Sequence, residues 1–244
     1  MLIDRKKAMN SSPIILAVDT DDLEIAKGWI DQTEEFVGLY KLGLEFYVKF
    51  GPAGVKAIQS VTDRAIFLDL KLHDIPNTVG AAAAQVAKLG PRFLTIHASG
   101  GTQMIAAAVK NAPEIEITAV TILTSLNQAD LTEIGFLGSP QSRAQDLAKM
   151  AVAAGARAIV CSPLEISLIR EVIPQEVSII TPGIRPKSLG PSANSTSSFD
   201  DQKRVMDPRS ALAAGANFLV IGRPITAAAN IKDAAAAIFA ETIS

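Results

Sequence analysis

The sequence predicts a single (β/α)8 TIM barrel, and three observations support this fold class. The chain has 244 residues, and α/β barrels of about 250 residues commonly form one domain. Short apolar runs alternate with alanine-rich helical stretches, which is typical of parallel strands covered by helices on both faces. Eight such runs are present, and that number fits a closed barrel better than a doubly wound open sheet, the structural alternative.

The predicted elements follow one another at intervals of 21 to 41 residues between strand starts. The strands are predicted at residues 14–19, 38–43, 65–71, 93–98, 116–124, 157–162, 178–184 and 218–223. Helical patterns lie between them, including residues 22–33, 79–88, 104–111 and 142–154. A weak internal repeat of helix end, glycine and strand puts Gly90, Gly155 and Gly215 where a helix ends with positive φ.

The chain is predicted to form one domain with two irregular segments. Residues 1–12 are charged and contain no apolar stretch, so we expect a flexible N-terminal tail before a barrel domain at residues 13–244. Residues 186–201 are rich in Pro, Gly, Ser and Asn and predict a mobile loop after the seventh strand. A loop longer than about 12–15 residues is usually a lid or disordered, and the sequence leaves both open.

Composition excludes several classes of function. The 23 Lys and Arg against 25 Asp and Glu give a net charge of −2, which argues against a nucleic-acid or anionic-membrane partner. No apolar run approaches the roughly 20 residues of a membrane-spanning helix. One Cys excludes an intramolecular disulfide framework, and two His exclude a histidine-rich metal site. We therefore expect a cytoplasmic protein without a metal.

Ionisable residues collect at the predicted strand ends, where barrels place their active sites. They are Asp19, Lys41, Asp69, Lys71 and Asp74. Asp69 and Lys71 are two residues apart, so on a strand both side chains point to the same face. A buried charge costs several kcal/mol unless it is paired, so a purely structural ion-pair layer is the alternative explanation. So many charges at one rim favour an active site.

A phosphate site is predicted after the last two strands. Gly222 lets the backbone approach a ligand, Pro224 suits the start of a helix, and Arg223 supplies a bidentate partner for phosphate oxygens. Arg185 follows the preceding strand. The loops after strands seven and eight are the usual phosphate cradle of such barrels.

Several motifs together carry a resemblance to a known family. The segment FLDLKLHDIPNT at residues 67–78 is accompanied by LAVD at 16–19, YKLG at 40–43, TPGIR at 181–185 and GRPIT at 222–226. This set resembles the orotidine 5′-phosphate decarboxylases of bacterial type, over almost the whole chain. The shorter pattern D-x-K-x-x-D is shared with the wider superfamily, whereas the full set of motifs is specific to the decarboxylases.

The resemblance implies decarboxylation of orotidine 5′-phosphate to UMP and CO2 in de novo pyrimidine biosynthesis, without a cofactor. Lys71 matches the lysine that protonates C6 of the pyrimidine, and Asp69 matches the carboxylate beside the substrate carboxylate. Lys41 and Asp74 complete a Lys-Asp-Lys-Asp array. The family pattern also implies a homodimer in which Asp74 and Thr78 reach the site of the partner subunit.

The resemblance also implies a set of nucleotide contacts. Asp19 and Lys41 match ribose contacts, as does Thr78 across the dimer interface. The pyrimidine is expected near Thr124 and Ser125, and the phosphate near the loops after strands seven and eight. The full set of expected substrate-binding residues is Asp19, Lys41, Asp69, Thr78, Thr124, Ser125, Pro182, Arg185, Gln202, Gly222 and Arg223.

Two other functions compete with this interpretation. A sister enzyme of the superfamily would use the same D-x-K-x-x-D to hold Mg²⁺ and the enediolate of a sugar phosphate. Lys41 and the IPNT extension at residues 75–78 favour the nucleotide enzyme. A catalytically silent phosphate-binding barrel is the second alternative, and the presence of both Asp69 and Lys71 argues against it.

Overall fold

A closed barrel of eight parallel strands forms the centre of the protein, as a computed structural model shows for residues 12–187 and 205–243. The strands are β1 (Ile14–Ala17), β2 (Leu39–Leu42), β3 (Ala65–Leu72), β4 (Phe93–His97), β5 (Glu116–Val120), β6 (Ala158–Val160), β7 (Ser178–Thr181) and β8 (Phe218–Ile221). Each strand pairs with the next, and β8 closes the barrel against β1, where Ile15 lies opposite Val220. The predicted (β/α)8 barrel is confirmed.

Helices connect the strands and surround the barrel. Those in the described residues are α1 (Leu23–Thr33), α2 (Leu44–Gln59), α3 (Pro76–Ala87), α4 (Gly101–Asn111), α5 (Gln128–Glu133), α6 (Pro140–Ala153), α7 (Ile166–Arg170), α8 (Pro208–Ala213), α9 (Arg223–Thr226) and α10 (Ile231–Ile243). Local sequence sets their ends. The Asp22 carboxylate, for example, accepts hydrogen bonds from the backbone N–H groups of Glu24 and Ile25 and so caps α1.

The glycines of the repeated helix–glycine–strand pattern have the predicted conformation. Gly90, Gly155 and Gly215 have φ values of 64°, 102° and 111°. Each follows a helix and precedes a strand, where the chain turns into the barrel. A left-handed backbone strongly favours glycine at such a helix end, so this prediction is confirmed.

Side chains on the strands alternate between two cores. One set packs between the barrel and the helices and includes Ile14, Leu16, Tyr40 and Leu68. The other points into the barrel, where Ile15, Leu39, Phe67, Phe93, Ala158 and Ile180 form an apolar layer. The two-residue period of a strand produces this division. It also directs the inward-facing residues further along the same strands to the carboxyl-terminal rim.

Seven of the eight strands end earlier than the apolar pattern predicts, and β3 ends one residue later, at Leu72. The run predicted at residues 116–124 is a strand only to Val120, although Ile122 is only 4% exposed. Residues beyond the last strand pairing pack into the rim, so their burial does not require a strand. Three helices begin two or three residues earlier than predicted. In the structure α3 starts at Pro76, α4 at Gly101 and α6 at Pro140.

Some of the expected irregular segments lie outside the described residues. This applies to residues 1–11 of the expected tail, residues 188–201 of the expected loop, and Gln202. Within the described residues, none of the helices has the length and apolar character needed to cross a membrane.

Candidate active site

A cavity of about 390 Å³ opens at the carboxyl-terminal end of the barrel. Pockets of this size are in the range that small-molecule sites occupy. Most of the residues predicted for the site line its wall, and they come from six segments along the chain. They are Asp19, Lys41, Asp69, Lys71, Thr124, Ser125, Pro182, Arg185, Gly222 and Arg223.

Four ionisable side chains form a chain of alternating charge on one side of the cavity. The Lys71 ammonium lies 2.8 Å from both carboxylate oxygens of Asp69. Lys41 Nζ lies 3.5 Å from Asp69 Oδ2 and 3.2 Å from Asp19 Oδ1. Asp69 is thus held between two ammonium groups, and Lys41 between two carboxylates.

Burial and charge oppose each other in this array. Burial alone would lower the pKa of Lys41, but the carboxylates of Asp69 and Asp19 outweigh it and raise that pKa above its ordinary value. Burial alone would raise the pKa of Asp69, but Lys41 and Lys71, with hydrogen bonds from Lys71 and Thr95, lower it. Both groups therefore stay charged at neutral pH.

The backbone of β3 is irregular where it supplies two of these residues. Leu68 pairs with Leu94 on β4, but the next pairing joins Leu72 to Ile96, so the longer β3 segment bulges. Within the bulge Lys71 has a φ of 48°, which is unusual for a residue with a side chain. The predicted strand is present as β3, but its pairing with β4 is irregular near its end, and Asp69 and Lys71 both line the same cavity.

Sequence reasoning missed two residues that support the array. A Cβ at Gly43 would lie 3.2 Å from both Asp19 Oδ1 and Lys41 Nζ, so a side chain there would crowd their ion pair. Thr95, on β4, donates a hydrogen bond of 2.9 Å to Asp69 Oδ1. The signal for Thr95 in the sequence was its polar side chain within an otherwise apolar strand, since a buried hydroxyl usually needs a hydrogen-bond partner.

Two predicted residues lie apart from the array in the single chain. Asp74 and Thr78 are exposed at the start of α3, and neither lines the cavity. Asp74 instead accepts a hydrogen bond of 2.6 Å from the backbone N–H of Ile75. His73 is also exposed, and its ring centre lies 5.4 Å from that of His97 at the end of β4. Gln202 lies outside the described residues.

The cavity is also lined by the residues predicted for phosphate. Arg185 and Arg223 line it together with Gly222. The backbone N–H of Arg185 donates to the carbonyl of Met206 at 2.9 Å, and the N–H of Met206 donates to the carbonyl of Gly183 at 3.1 Å. These two bonds hold the chain after β7 beside residue 206. The cavity thus combines two arginines with an ion-paired array.

This arrangement suits an anionic substrate with two charged ends. Arginine side chains bind phosphate by bidentate hydrogen bonds. The Lys71 ammonium has three N–H donors, and the contacts to Asp69 use two of them. In residues 12–187 and 205–243, no group of three or more His, Cys, Asp or Glu side chains is arranged to hold a metal ion.

Comparison with protein families and known sequences gives a consistent set of matches. The family model described as "Orotidine 5'-phosphate decarboxylase / HUMPS family" matches residues 12–238. The orotidine 5′-phosphate decarboxylase of Thermobifida fusca is 48% identical over 231 residues, covering 95% of this chain and 96% of the relative. That of Paramagnetospirillum magneticum is 43% identical over 239 residues, covering 94% and 98%.

Solved structures agree with the sequence matches. The crystal structure of orotidine 5′-phosphate decarboxylase from Lactobacillus acidophilus is similar with a TM-score of 0.80 and 33% identity, covering 96% of this chain and all (100%) of that one. The enzyme of the same name from Pyrococcus horikoshii gives a TM-score of 0.75 at 22% identity, covering 95% and 99%. The second likeness concerns the fold alone.

Proposed function

The chain belongs to the orotidine 5′-phosphate decarboxylase / HUMPS family, and we therefore propose that it converts orotidine 5′-phosphate to UMP and CO2 in pyrimidine biosynthesis. The observation that carries this proposal is the array of Lys41, Asp69 and Lys71 in a cavity that Arg185 and Arg223 also line. We further propose that the reaction takes place in the cytoplasm and needs no cofactor.

In the proposed mechanism Lys71 is the proton donor. The bond between C6 of the pyrimidine and the carboxyl carbon breaks, CO2 leaves, and the bonding electron pair remains on C6. The Lys71 ammonium stabilises this developing negative charge and transfers a proton to C6 to give UMP. Its two contacts to Asp69 fix the ammonium position and leave a third N–H for the substrate.

Asp69 has two proposed roles. It orients Lys71 by accepting two hydrogen bonds of 2.8 Å from the ammonium group. It also places a negative charge beside the substrate carboxylate, and two such charges about 4 Å apart repel by roughly 1–4 kcal/mol, depending on the local dielectric. This repulsion disappears as neutral CO2 leaves. The lowered pKa of Asp69 supports a carboxylate that is ionised at neutral pH when the substrate arrives.

The remaining cavity residues are proposed to bind the nucleotide. Asp19 and Lys41 would contact the ribose, and Thr124 and Ser125 the pyrimidine. Arg185, Gly222 and Arg223, with Pro182 beside them, would hold the phosphate, and Gln202 is proposed to join them. Binding energy from the phosphate, far from C6, would then organise the charges for the chemical step.

A homodimer is proposed to complete the site with Asp74 and Thr78 of the partner subunit. Support comes from the exposure of both residues in the single chain, where neither lines the cavity. Ile75, beside Asp74 in the chain, is also 66% exposed.

The primary test follows the loss of absorbance of orotidine 5′-phosphate in the presence of excess EDTA. We expect turnover that EDTA does not change. Absence of turnover would refute the proposed function. EDTA-sensitive activity on a keto-sugar phosphate would instead support the Mg²⁺-dependent sister reaction, and binding of UMP without any turnover would support a silent barrel.

The shared site is tested by mixing two inactive variants, Lys71→Ala and Asp74→Ala. If Asp74 acts across the interface, a mixed dimer regains one intact site. After subunit exchange about a quarter of the wild-type activity should return. A mixture that stays inactive, although a tag on one variant recovers the other in mixed dimers, would place Asp74 in the site of its own subunit, and an active Asp74→Ala variant would place Asp74 outside the mechanism.

A further inference from the structure

We propose that Thr95 is a positioning residue for the decarboxylation, because its hydroxyl joins the Lys71 backbone to the Asp69 carboxylate. This inference rests on the proposed function, and it assigns to β4 a part in a site whose charged groups come from other segments. The family motifs identified in the sequence contain no residue of β4, so Thr95 is a role that they do not supply.

The Thr95 hydroxyl uses both of its hydrogen-bonding capacities in the charge array. Its oxygen accepts a hydrogen bond of 2.8 Å from the Lys71 backbone N–H. Its proton is donated to Asp69 Oδ1 at 2.9 Å. The side chain is 0% exposed, so water does not compete for either bond. A hydroxyl has one proton to give, and the two bonds together fix its orientation.

The first bond stabilises an unfavourable backbone. Lys71 has a φ of 48° in a bulge of β3, and such a conformation costs about 1–3 kcal/mol for a residue with a side chain. The bulge also removes the Lys71 N–H from regular pairing with β4. The Thr95 hydroxyl replaces that lost partner, and it therefore holds the segment from which the Lys71 ammonium reaches the cavity.

The second bond fixes the rotation of the Asp69 carboxylate. Oδ1 accepts from Thr95 and Lys71, while Oδ2 accepts from Lys71 and lies 3.5 Å from Lys41 Nζ. With all these partners in place, the carboxylate plane cannot turn without breaking a bond. Thr95 thus acts on the proton donor by two routes, through its backbone and through its counter-ion.

A neighbouring residue offers a matched control. Thr118 on β5 lies directly opposite Thr95 in the sheet register and is also 0% exposed. Its hydroxyl, however, donates to the backbone carbonyl of Glu116 at 3.0 Å and has no bond to the charge array. The same substitution at the two positions separates the loss of a buried hydroxyl from the loss of positioning.

The experiment compares Thr95→Val, Thr95→Ser and Thr118→Val by kcat, KM and the pH profile of kcat. Valine keeps the shape of threonine and removes the hydroxyl, whereas serine keeps the hydroxyl. We expect kcat to fall about 10- to 100-fold in Thr95→Val with KM little changed, because small displacements of a catalytic group have effects of this size. Thr95→Ser should recover most of the rate, and Thr118→Val should match the wild type.

The pH profile separates positioning from simple destabilisation. The hydrogen bond from Thr95 helps to keep the pKa of Asp69 low, so the acid limb of kcat should move to higher pH in Thr95→Val alone. Asp69 also faces Lys41 and Lys71 and interacts electrostatically with His97, and all of these remain in the three variants. An unchanged kcat or acid limb in Thr95→Val, or an equal loss in Thr95→Ser, would overturn the proposal.

Two further measurements keep the test decisive. If Thr95→Val does not fold, Thr95→Ala removes the same hydroxyl with less steric demand and takes its place. If the wild type does not act on orotidine 5′-phosphate, the proposed function fails, and the positioning role is then tested without turnover. A crystal structure should then show a changed Lys71 φ in the variant, and an NMR titration should show a raised Asp69 pKa. If neither change is observed, the positioning role is refuted.

Discussion

The interior of the barrel contains two layers that differ sharply in chemistry although they lie on the same strands. Lower in the barrel, Leu39, Phe67 and Phe93 form an apolar layer. Two residues further along each of these strands, the inward positions are occupied by Lys41, Asp69 and Thr95, which form a connected polar layer. A shift of two residues along each strand therefore separates side chains that pack the barrel from side chains that line the cavity.

The comparison shows how the fold can support a cluster of buried charges. The apolar layer includes edge-to-face contacts of Phe93 with Phe67 and Phe218, at 5.7 and 5.6 Å between ring centres. Such packing stabilises the barrel independently of the rim. The charged layer above gains little net stability from its ion pairs because desolvation opposes them. The role proposed for the charged layer is catalytic, so each layer should respond differently to substitution.

The largest expected effect is on the reaction, from Lys71→Ala in the charged layer. We expect kcat/KM to fall by at least about 10⁴-fold, because the proton donor and the charge nearest C6 are both removed. The side chain is 31% exposed, so the melting temperature should change little. Turnover is measured by absorbance and UMP binding by calorimetry.

Lys88→Ala is the control for this substitution. Lys88 ends α3, is exposed and bonds only to the Gln85 side chain among the contacts described for it. It should keep full activity. Retention of more than about a hundredth of the activity in Lys71→Ala would contradict its role as the proton donor, since general acid catalysis alone contributes about 10²–10⁴.

The next effect is on stability, from Phe93→Ala in the apolar layer. Removing a buried phenyl ring should lower the free energy of unfolding by about 3–5 kcal/mol, measured by urea denaturation. Phe93 is 0% exposed and does not line the cavity. The kcat of the folded fraction should therefore fall far less than in Lys71→Ala.

Ile25→Ala on α1 provides the comparison for an apolar side chain outside this layer. Ile25 is 48% exposed, so its truncation should change the free energy of unfolding by no more than about 0.5–1 kcal/mol. If Phe93→Ala reduced kcat as strongly as Lys71→Ala, the division between a packing layer and a chemical layer would be wrong.

The apolar layer and the strand order were predictable from the sequence, because continuous apolar runs and helix-ending glycines report on local structure. The positions of Asp19, Lys41, Asp69 and Lys71 at one rim were predictable for the same reason, since parallel strands end at a common edge. The assignment of the reaction came from the resemblance rather than from these patterns.

The bulge at Lys71 was not predictable from the residues. Nothing in the segment 65–72 distinguishes a regular strand from one that gains two residues against β4, because the irregularity depends on the partner strand. The role of Thr95 was hidden for the same reason, since its hydroxyl matters only beside that bulge. The proposed role of Asp74 could not be predicted from the residues for a different reason, because it requires the site of a second subunit.

The smallest expected effect concerns the pH dependence of stability and distinguishes the layers without any substrate. The pKa of Asp69 is lowered in the folded protein, so its contribution is present above the ordinary value of 3.8 and is lost as the pH falls through the folded pKa. The pKa of Lys41 is raised. Its contribution is therefore present below the ordinary 10.5 and is lost only as the pH rises through the higher folded value.

The test compares Asp69→Asn with Phe93→Leu by urea unfolding at neutral pH and near pH 3. The decrease in unfolding free energy caused by Asp69→Asn should become smaller at the acidic pH, because below 3.8 the unfolded wild type binds a proton at Asp69 and the ion pairs then contribute less to its stability. The decrease caused by Phe93→Leu should be the same at both, since no group in the apolar layer titrates. Equal behaviour of the two variants would mean that Asp69 is not an ionised partner of the two lysines in the folded protein.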